Sequence, residues 1–484
     1  MVVPTSARLR RPGGTESARN GLRRADRVDR SLAPGRIMHT RVASHVAATL
    51  ASALLAASVV SCDDSDIVGV RSGPATIDMT FCPGSVPIYF AVQDDGGDWR
   101  RIPVPSSGHL SFETTERFGM AWTQVDYLRT YVVYATASEV SPFNMVCTNP
   151  FGTKVVTGSL AGDGFAAGVS MAGVSYYFNV PGDFSLFGIP EGPQDVVAQL
   201  YVLNGSEVVP KSMLIQRGAN VPNYGALPLL DFATATPLAI NTLTVNNLTP
   251  GDFNAAETYF RTSGGTDHIV FGTSLAGPTT TLPLYGAPAS LTQPGDLHRV
   301  EVSGVTADGF AARYAWQFYR TPADQSITLG PALSRPTSSE IISGDDTQLR
   351  LRVSFPSQIE YGSLGRVVFA QQGAHIVYYF VAATSAYIGQ RPPEWTLEIP
   401  DLSGAEFPVT ASLQKGVPTY EILEAWDAPF STVFAGTSTE GESVHYAQLV
   451  VPPNETFAAF DRDFRPPGLR RARVNGSLAA PIRR

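Results

Sequence analysis

The dense, even spacing of turn-forming residues constrains the fold of this chain more than any other feature. Its 484 residues include 44 Gly and 37 Pro, and turn signals recur about every 8 to 12 residues. Between the turns stand short alternating or continuously apolar runs, such as LRLRVSFP at 349–356. No long amphipathic helix with capping residues is evident after residue 62. This pattern predicts an all-β protein built from sandwiches.

The chain is too long for a single sandwich. One module of this kind holds about 100 residues, so the residues after position 62 predict three or four serial sandwiches. Turn clusters and changes in composition place these domains at 70–150, 151–235, 236–335 and 336–461. From residue 462 to 484 the chain becomes basic and aperiodic, and we expect a disordered tail there.

The second segment carries the most informative strand and turn phrases. It contains GSLAGDGFAAGVSMAGVSYYF at 158–178 and FSLFGIPEGPQDVVAQLYV at 184–202. These phrases resemble the transthyretin-like, or carboxypeptidase regulatory-like, modules found beside bacterial carboxypeptidases and in surface proteins. The resemblance implies a small seven-stranded sandwich, so we expect the serial sandwiches to be immunoglobulin-like or transthyretin-like.

The first 61 residues divide into two segments of different composition. Residues 1–37 are rich in Arg, contain no Lys and show no apolar periodicity. We interpret them as a mistranslated or disordered leader, with Met38 as the true initiator. The alternative is a basic arm that binds nucleic acid, and export of the rest of the chain argues against it. Residues 38–61 then have a basic start and an apolar core, as in a secretory signal.

The end of the signal determines the predicted location of the protein. The apolar run at 42–60 is rich in Ala, Ser and Thr, which makes it a poor membrane-spanning helix. Val59, Val60 and Ser61 before Cys62 resemble the lipobox of bacterial lipoproteins, in which signal peptidase II cuts before a cysteine that carries acyl chains. The resemblance implies an anchor at Cys62, a linker at 62–69, and a protein held to the inner or outer membrane, facing the periplasm or the exterior. The alternative is a free cysteine after an ordinary signal peptide or anchor.

Charge and cysteine usage fit an exported protein. Of the 35 basic and 43 acidic side chains, 10 and 3 precede residue 62, so the remainder carries a formal net charge of −15. That balance argues against nucleic acid as a partner. With Cys62 assigned to lipid, Cys82 and Cys147 are left in an oxidising compartment, where we expect a disulfide. A metal pair is the alternative, but no His or Cys lies at ligand spacing from either thiol.

The common catalytic motifs are missing from the sequence. There is no GxSxG, HExxH, paired CxxC, P-loop or GxGxxG. The histidines after the signal lie more than four residues apart, so only the fold could assemble a zinc site from them: His109, His268, His298, His375 and His445. The sequence therefore predicts no enzyme activity and no cofactor.

Acidic clusters are candidate calcium sites. Asp94, Asp95 and Asp98 surround two glycines, and calcium prefers several oxygen ligands from one flexible loop. Asp345 and Asp346 form a second acidic pair. Because Asp-Gly is also a common hairpin turn, we favour turns over calcium at these positions.

Aromatic residues suggest a binding role. Alternate residues of a strand face opposite sides, so an aromatic triplet could present a ring at the surface for a glycan or a protein, although core packing is an equally good interpretation. The candidates are Tyr176, Tyr177, Phe178, Tyr378, Tyr379, Phe380 and Trp395.

We therefore expect a lipid-anchored cell-envelope protein with a non-catalytic binding, adhesion or scaffold role. Residues 62–461 carry 18 basic and 39 acidic side chains, so the partner should be neutral or cationic. The alternative is an envelope hydrolase, such as a glycoside hydrolase, with two dispersed carboxylates.

Overall fold

Strands joined by short turns make up most of the protein. The computed structural model describes residues 74–82, 86–124, 129–144, 152–344, 349–372 and 376–453. Its regular structure is almost entirely strands arranged in several sheets, which confirms the predicted all-β class. All the described residues belong to one compact unit.

The first sandwich lies within 70–150. A three-stranded sheet in the order β4-β1-β7 faces four strands in the order β3-β2-β5-β6. Buried apolar residues such as Ile77 and Phe112 from the small sheet and Phe90 and Met120 from the large one fill the space between them. Its elements are β1 (Ala75–Thr80), β2 (Tyr89–Asp94), β3 (Trp99–Arg101), β4 (His109–Thr114), β5 (Arg117–Thr123), β6 (Arg129–Thr136), α1 (Ala137–Val140) and β7 (Phe143–Asn144).

The second sandwich has its own core and both of its own sheets. One sheet runs β10-β9-β12-β13-β16, and the other runs β11-β8-β14 with β15 also paired to β8. Its last short strand lies two residues beyond the expected boundary at 235. Its strands are β8 (Lys154–Ala161), β9 (Ala166–Met171), β10 (Val174–Asn179), β11 (Gly182–Ile189), β12 (Gln194–Asn204), β13 (Glu207–Ala219), β14 (Gly225–Ala226), β15 (Leu230–Asp231) and β16 (Thr236–Pro237).

The third sandwich repeats the arrangement of the first. Its small sheet runs β20-β17-β23 and its large sheet runs β19-β18-β21-β22. In all three sandwiches the first strand lies between the fourth and the seventh, and it runs parallel to the seventh. The strands are β17 (Ala239–Asn246), β18 (Phe253–Arg261), β19 (Asp267–Leu275), β20 (Thr279–Gly286), β21 (Leu297–Val305), β22 (Ala311–Tyr319) and β23 (Gln325–Thr328).

The fourth sandwich has a different strand order. Its first, second and fifth strands form one sheet, β24-β25-β28, and the other runs β30-β29-β26-β27. As in immunoglobulin-type sandwiches, the first, second and fifth strands are in one sheet and the third, sixth and seventh are in the other, but here the fourth strand joins the second group. Its elements are β24 (Ser338–Gly344), β25 (Leu349–Pro356), β26 (Leu364–Gln372), β27 (Ile376–Thr384), α2 (Ser385–Ile388), β28 (Glu394–Glu398), β29 (Thr419–Asp427) and β30 (Ser443–Val451).

The first, third and fourth sandwiches share one sheet of twelve strands, here called the long sheet. Its order is β19-β18-β21-β22-β30-β29-β26-β27-β6-β5-β2-β3. The fourth sandwich therefore lies in the middle and pairs on both sides. Its β27 runs parallel to β6, with Val381 opposite Val132, and its β30 runs antiparallel to β22, with Tyr446 opposite Tyr314. The expected serial segments are thus joined edge to edge by backbone hydrogen bonds, and not only by their linkers.

Aromatic rings reinforce the joint between the first and fourth sandwiches. Trp122 and Tyr131 stack with ring centroids 4.9 Å apart, and Tyr131 stacks on Phe380 at 4.5 Å. Beyond them, the Arg366 guanidinium lies 5.8 Å from the Phe380 ring and 5.6 Å from the Trp426 ring. One face of the long sheet therefore carries continuous ring contacts across the strand pair that joins the two sandwiches.

The second sandwich is held to the third by buried charges. Arg217 of β13 donates to Asp195 at 3.2 Å and to Asp296 at 2.6 Å, and the two carboxylates come from different sandwiches. The Asp296 side chain is 1% exposed. Its two oxygens also accept from the backbone N–H groups of Ser263 and Gln293. Arg217 therefore connects the two sandwiches through one carboxylate of each.

Candidate functional site

A cavity lies where the first and fourth sandwiches meet. Its volume is about 330 Å³, within the size range of small-molecule sites. We call it the seam pocket. It is lined by Glu139, Ser363, Leu364, Thr384, Ser385, Asp427, Ala428, Pro429, Phe430 and Ser443.

The parallel pairing of β6 and β27 builds one wall of the seam pocket. Both strands end at the same edge, and a four-residue helix follows each of them, α1 after β6 and α2 after β27. Thr136 and Thr384 are the N-cap residues of these helices. The local sequences that follow the two strands are correspondingly alike, ATASEV at 135–140 and ATSAYI at 383–388. Threonine suits this position because its side chain bonds the free N–H groups of a helix start.

Glu139 is held in place by three hydrogen bonds. Its Oε2 accepts from the backbone N–H of Thr136 at 3.0 Å, from the Thr136 hydroxyl at 3.0 Å and from the Thr384 hydroxyl at 2.7 Å. The first of these contacts belongs to the capping box of α1. The bond to Thr384 crosses between the two sandwiches, so this carboxylate is part of their joint as well as part of the pocket wall.

Asp427 supplies a second carboxylate to the lining. It is the last residue of β29, it is exposed, and its Oδ1 accepts from the Ser363 hydroxyl at 2.7 Å. Within the described part of the chain, no hydrogen bond uses Glu139 Oε1 or Asp427 Oδ2. Each carboxylate is therefore oriented through one oxygen, and its other oxygen remains available to a ligand.

The lining of the seam pocket determines what chemistry it supports. Its lining includes two acidic residues and four hydroxyl residues, Ser363, Thr384, Ser385 and Ser443, and none of its lining residues is basic. Carboxylates only accept hydrogen bonds. Leu364, Ala428, Pro429 and Phe430 form the apolar part. The site suits a ligand with hydrogen-bond donors, which means a polyhydroxyl compound or a cation.

The expected calcium candidates are not among the lining residues of this pocket and lie in a hairpin turn. Asp94 ends β2, its carbonyl accepts from Gly97 N at 2.8 Å, and Asp95 and Gly96 have φ of 40° and 77°. The Asp94 carboxylate accepts from the Thr114 hydroxyl at 2.6 Å, and Asp98 is exposed. Hydrogen bonds and Arg100 lower the Asp94 pKa further than burial raises it. In the residues that the structure describes, no group of three or more His, Cys, Asp and Glu is placed to hold a metal ion.

The three cysteines are only partly described. Cys82 follows β1 and is disulfide-bonded. Cys62 and Cys147 lie outside the described residues, so the lipid attachment and the pairing of Cys82 with Cys147 stay predictions. Mapping of peptides from unreduced, exported protein should recover a peptide containing Cys82 joined to one containing Cys147. Recovery of Cys147 as a free thiol would contradict the pairing.

The aromatic candidates divide between surface and core. Tyr176 and Tyr177 of β10 are 47% and 43% exposed, whereas Phe178 packs against the second core. Tyr379 and Trp395 are buried in the fourth core. The other two residues of the second triplet are half-buried on the opposite face of β27: Tyr378 and Phe380. Of these candidates, therefore, only Tyr176 and Tyr177 on β10 are well exposed at the surface.

A Ser–His contact occurs between the second and third sandwiches, and it is structural. Ser170 Oγ lies 2.7 Å from His268 Nδ1, and His268 Nε2 lies 3.2 Å from Gln199 Oε1. Such a pair could activate a nucleophile. Here Ser170 and His268 are 0% and 1% exposed, and burial lowers the His268 pKa to about 3. A substrate has no access to the hydroxyl, so the pair serves the interface.

The other histidines are not among the lining residues of the seam pocket. His109 is exposed on β4, and His445 is half-buried on β30, directly opposite Asp427 in the strand ladder. His298 is buried, and its two ring nitrogens contact the backbone of Arg320 and Ala287. His375 and the Asp345–Asp346 pair lie outside the described residues.

Sequence reasoning did not find the seam pocket. Glu139 and Asp427 come from the first and fourth sandwiches, and no spacing rule connects residues so far apart. The only local signal is the Thr-x-x-Glu capping box at 136–139, which predicts a helix start and not a ligand site.

Comparison with known proteins gives no functional assignment, so the functional argument rests on the fold and the pocket. The chain matches no protein-family model, and a search of curated proteins found no match. Within the described ranges, the model contains no helix both long and apolar enough to cross a membrane. The apolar run at 42–60 lies outside those ranges.

Proposed function

We propose that this is a lipid-anchored cell-envelope protein with a non-catalytic binding role, and that it holds its ligand in the seam pocket. The observation that carries the proposal is the pocket itself, in which two oriented carboxylates and four hydroxyls face one cavity at a joint between sandwiches. Loops and strand ends placed on a rigid scaffold are common recognition sites. The shared long sheet supplies that scaffold.

The bonding of the carboxylates favours binding over catalysis. A glycoside hydrolase needs one carboxyl group that donates a proton to the leaving oxygen. Glu139 Oε2 is already engaged by three donors, one of which caps a helix. Asp427 is an exposed residue at the end of a strand, where water solvates its charge. Both groups are suited to attract a ligand and hold it.

The test is a paired binding and turnover experiment on the mature protein. Purified protein should bind a component in a screen of envelope glycans and envelope proteins, and it should release no product from polysaccharides, peptides or esters over long incubation. Glu139→Gln and Asp427→Asn should weaken binding. Asp163→Asn removes an exposed carboxylate from the turn between β8 and β9 of the second sandwich and should leave binding unchanged.

A hydrolase is the second candidate, because Glu139 and Asp427 do place two carboxylates in one cavity. Turnover of a glycan that is lost in both Glu139→Gln and Asp427→Asn, and kept in Asp163→Asn, would replace the binding proposal with this one. Proton NMR of the freshly released products, which distinguishes the two anomers, would then give the stereochemical outcome.

The lipid anchor is the part of the proposal that rests on sequence alone. Replacing Cys62 with Ala should move the protein from the membrane fraction to the soluble fraction, because two or three acyl chains give durable anchoring. Intact mass of the detergent-extracted wild type should show the added acyl groups. A Cys62→Ala variant that stays in the membrane fraction would contradict lipid attachment and favour a spanning segment.

A further inference from the structure

We infer that the seam pocket binds a primary ammonium group carried on an alkyl chain, as in a lysine side chain or a simple alkylamine. The inference rests on the proposed binding function and names the ligand class of the same site. Charge, donor–acceptor matching and the apolar wall each support it.

The charge of the lining favours a cation. Glu139 and Asp427 are both acidic, and the lining holds no Lys, Arg or His to neutralise them. Some carboxylates elsewhere have such a neighbour, as Asp195 and Asp296 have Arg217 and Asp252 has Arg313. His445 is the cross-strand neighbour of Asp427 but is not part of the lining. An added positive charge in the pocket therefore meets two acidic side chains and no basic lining residue.

Hydrogen bonding distinguishes an ammonium group from other cations and from anions. An ammonium group has three donors and no acceptor. The pocket offers Glu139 Oε1, Asp427 Oδ2 and nearby hydroxyl oxygens as acceptors. Hydrogen bonds from Thr384 and Ser363 hold the two carboxylates in place. A metal ion would need more carboxylate ligands, and the described residues contain no group of three or more metal-binding side chains.

The apolar wall suits the methylene chain next to the charge. Pro429 is exposed, whereas Leu364, Ala428 and Phe430 are 1%, 6% and 5% exposed. Pro429 therefore supplies most of the apolar surface that a methylene chain can contact. Lysine side chains bury their methylenes on apolar surface while the charged head stays among polar groups. A sugar would favour a broad exposed aromatic face, and Phe430 is the one aromatic residue of the lining.

The experiment compares a charged ligand with its neutral isostere by calorimetric titration. Nα-acetyl-lysine amide and n-pentylamine should both bind the mature protein, and Nα-acetyl-norleucine amide should bind at least tenfold more weakly. Binding of both amines assigns recognition to the shared ammonium group. If only the lysine amide binds, the pocket recognises a lysine within a peptide. Raising the salt concentration should weaken binding in either case, because ions screen the attraction.

Two variants test the role of the carboxylates, and a third blocks the pocket. Glu139→Gln keeps the capping box, since Gln serves at that helix position as well as Glu does, and Asp427→Asn keeps an acceptor for Ser363. Each should weaken amine binding about tenfold, the usual scale for losing one charged partner. Asp163→Asn should bind like the wild type. Ser443→Lys introduces a tethered ammonium group from an exposed position on the lining and should abolish binding of added amines.

Several outcomes would overturn the inference. They are equal binding of the norleucine and lysine amides, Ca²⁺ binding that displaces the amines, and equal loss of binding in Asp163→Asn. Unfolding curves of each variant, followed by circular dichroism, separate lost binding from lost structure. If amines fail while the glycan and protein screen still yields a ligand without turnover, the inference is wrong and the proposed function stands. If turnover is found, the proposed function is wrong.

Discussion

His268 and His298 are buried imidazoles that each make two hydrogen bonds. Gln199 donates its amide to the Val270 carbonyl, so its Oε1 accepts from His268 Nε2–H. His298 Nδ1 donates to the Arg320 carbonyl, and its Nε2 accepts from Ala287 N. The His298 ring therefore fits the neutral form. Burial, which disfavours the charged form, lowers the pKa of His268 to about 3 and of His298 to about 4.

These two residues predict a loss of stability in mild acid. The unfolded chain takes up protons on both residues below about pH 6.5, whereas the folded protein does not until the pH approaches 4 to 3. Stability should therefore fall as the pH drops from 6.5 towards 4, by up to about 1.4 kcal/mol per pH unit for each histidine. Urea unfolding midpoints measured at pH 7.5, 6.5, 5.5 and 4.5 test this.

A matched pair of variants assigns the effect. His268→Gln should flatten part of the slope between pH 6.5 and 4.5, and His109→Gln, at an exposed position, should not. Glu421 acts in the opposite direction, since burial raises its pKa and its neutral form favours the folded state as the pH falls. An identical slope in wild type and His268→Gln would show that another group controls the acid response.

The buried pair of Arg366 and Glu424 is a second prediction at this scale. Glu424 accepts from Arg366 Nε and, at 2.6 Å, from the Tyr446 hydroxyl, and the two charged side chains are 16% and 8% exposed. Glu424→Gln leaves the arginine without its counter-charge and should lower the free energy of unfolding by about 3 kcal/mol. Urea unfolding followed by tryptophan fluorescence measures this change.

Two further variants make that prediction specific. Arg366→Met with Glu424→Leu removes both charges and should cost less stability than Glu424→Gln alone, because no unpaired charge remains in the interior. Glu340→Gln breaks an exposed pair with Arg352 and should change stability by less than about 1 kcal/mol. A Glu424→Gln variant as stable as Glu340→Gln would mean that water solvates Arg366.

Gly365 shows how one element depends on another. It lies on β26, and a Cβ built there would come within 2.6 Å of Trp395 Cγ on β28. Trp395 is 0% exposed in the fourth core. The glycine therefore lets the small sheet of the fourth sandwich set its indole directly on the long sheet.

Replacing this glycine should destabilise the fourth sandwich. Gly365→Ala forces the indole or the strand to move, which costs about 1 to 3 kcal/mol in a well-packed core. Gly404→Ala is the control, because a Cβ at that position meets no atom within 4 Å. Thermal unfolding should show a lower midpoint for Gly365→Ala only. Equal midpoints for the two variants would mean that the core adapts to the methyl group.

At the scale of the whole molecule, the long sheet predicts that three sandwiches lose structure together. In hydrogen exchange, Glu424→Gln should speed exchange in the first and third sandwiches as well as in the fourth, because they share backbone hydrogen bonds across β6–β27 and β22–β30. The second sandwich, which has both of its own sheets, should respond less. Faster exchange confined to residues 338–451 would show that the sandwiches unfold independently.

Local patterns in the sequence were sufficient for the fold class and for many individual strands. Turn residues and alternating apolar residues are properties of short stretches, so LRLRVSFP at 349–356 predicted a strand, and β25 spans those residues. The Asp94–Asp98 hairpin was likewise expected from its Asp and Gly residues. The strand order shared by the first three sandwiches has no comparable sequence signal, because different apolar residues fill the same kind of core.

Only the tertiary structure decided how the sandwiches join and where the pocket lies. The joints use backbone hydrogen bonds between edge strands, and every residue except proline offers the same N–H and C=O groups, so the sequence does not mark which edges will pair. The parallel contact of β6 with β27 then brings Glu139 to Thr384 and the pocket that also includes Asp427. The sequence by itself determined the strands and turns of this protein, and long-range edge pairing determined its candidate site.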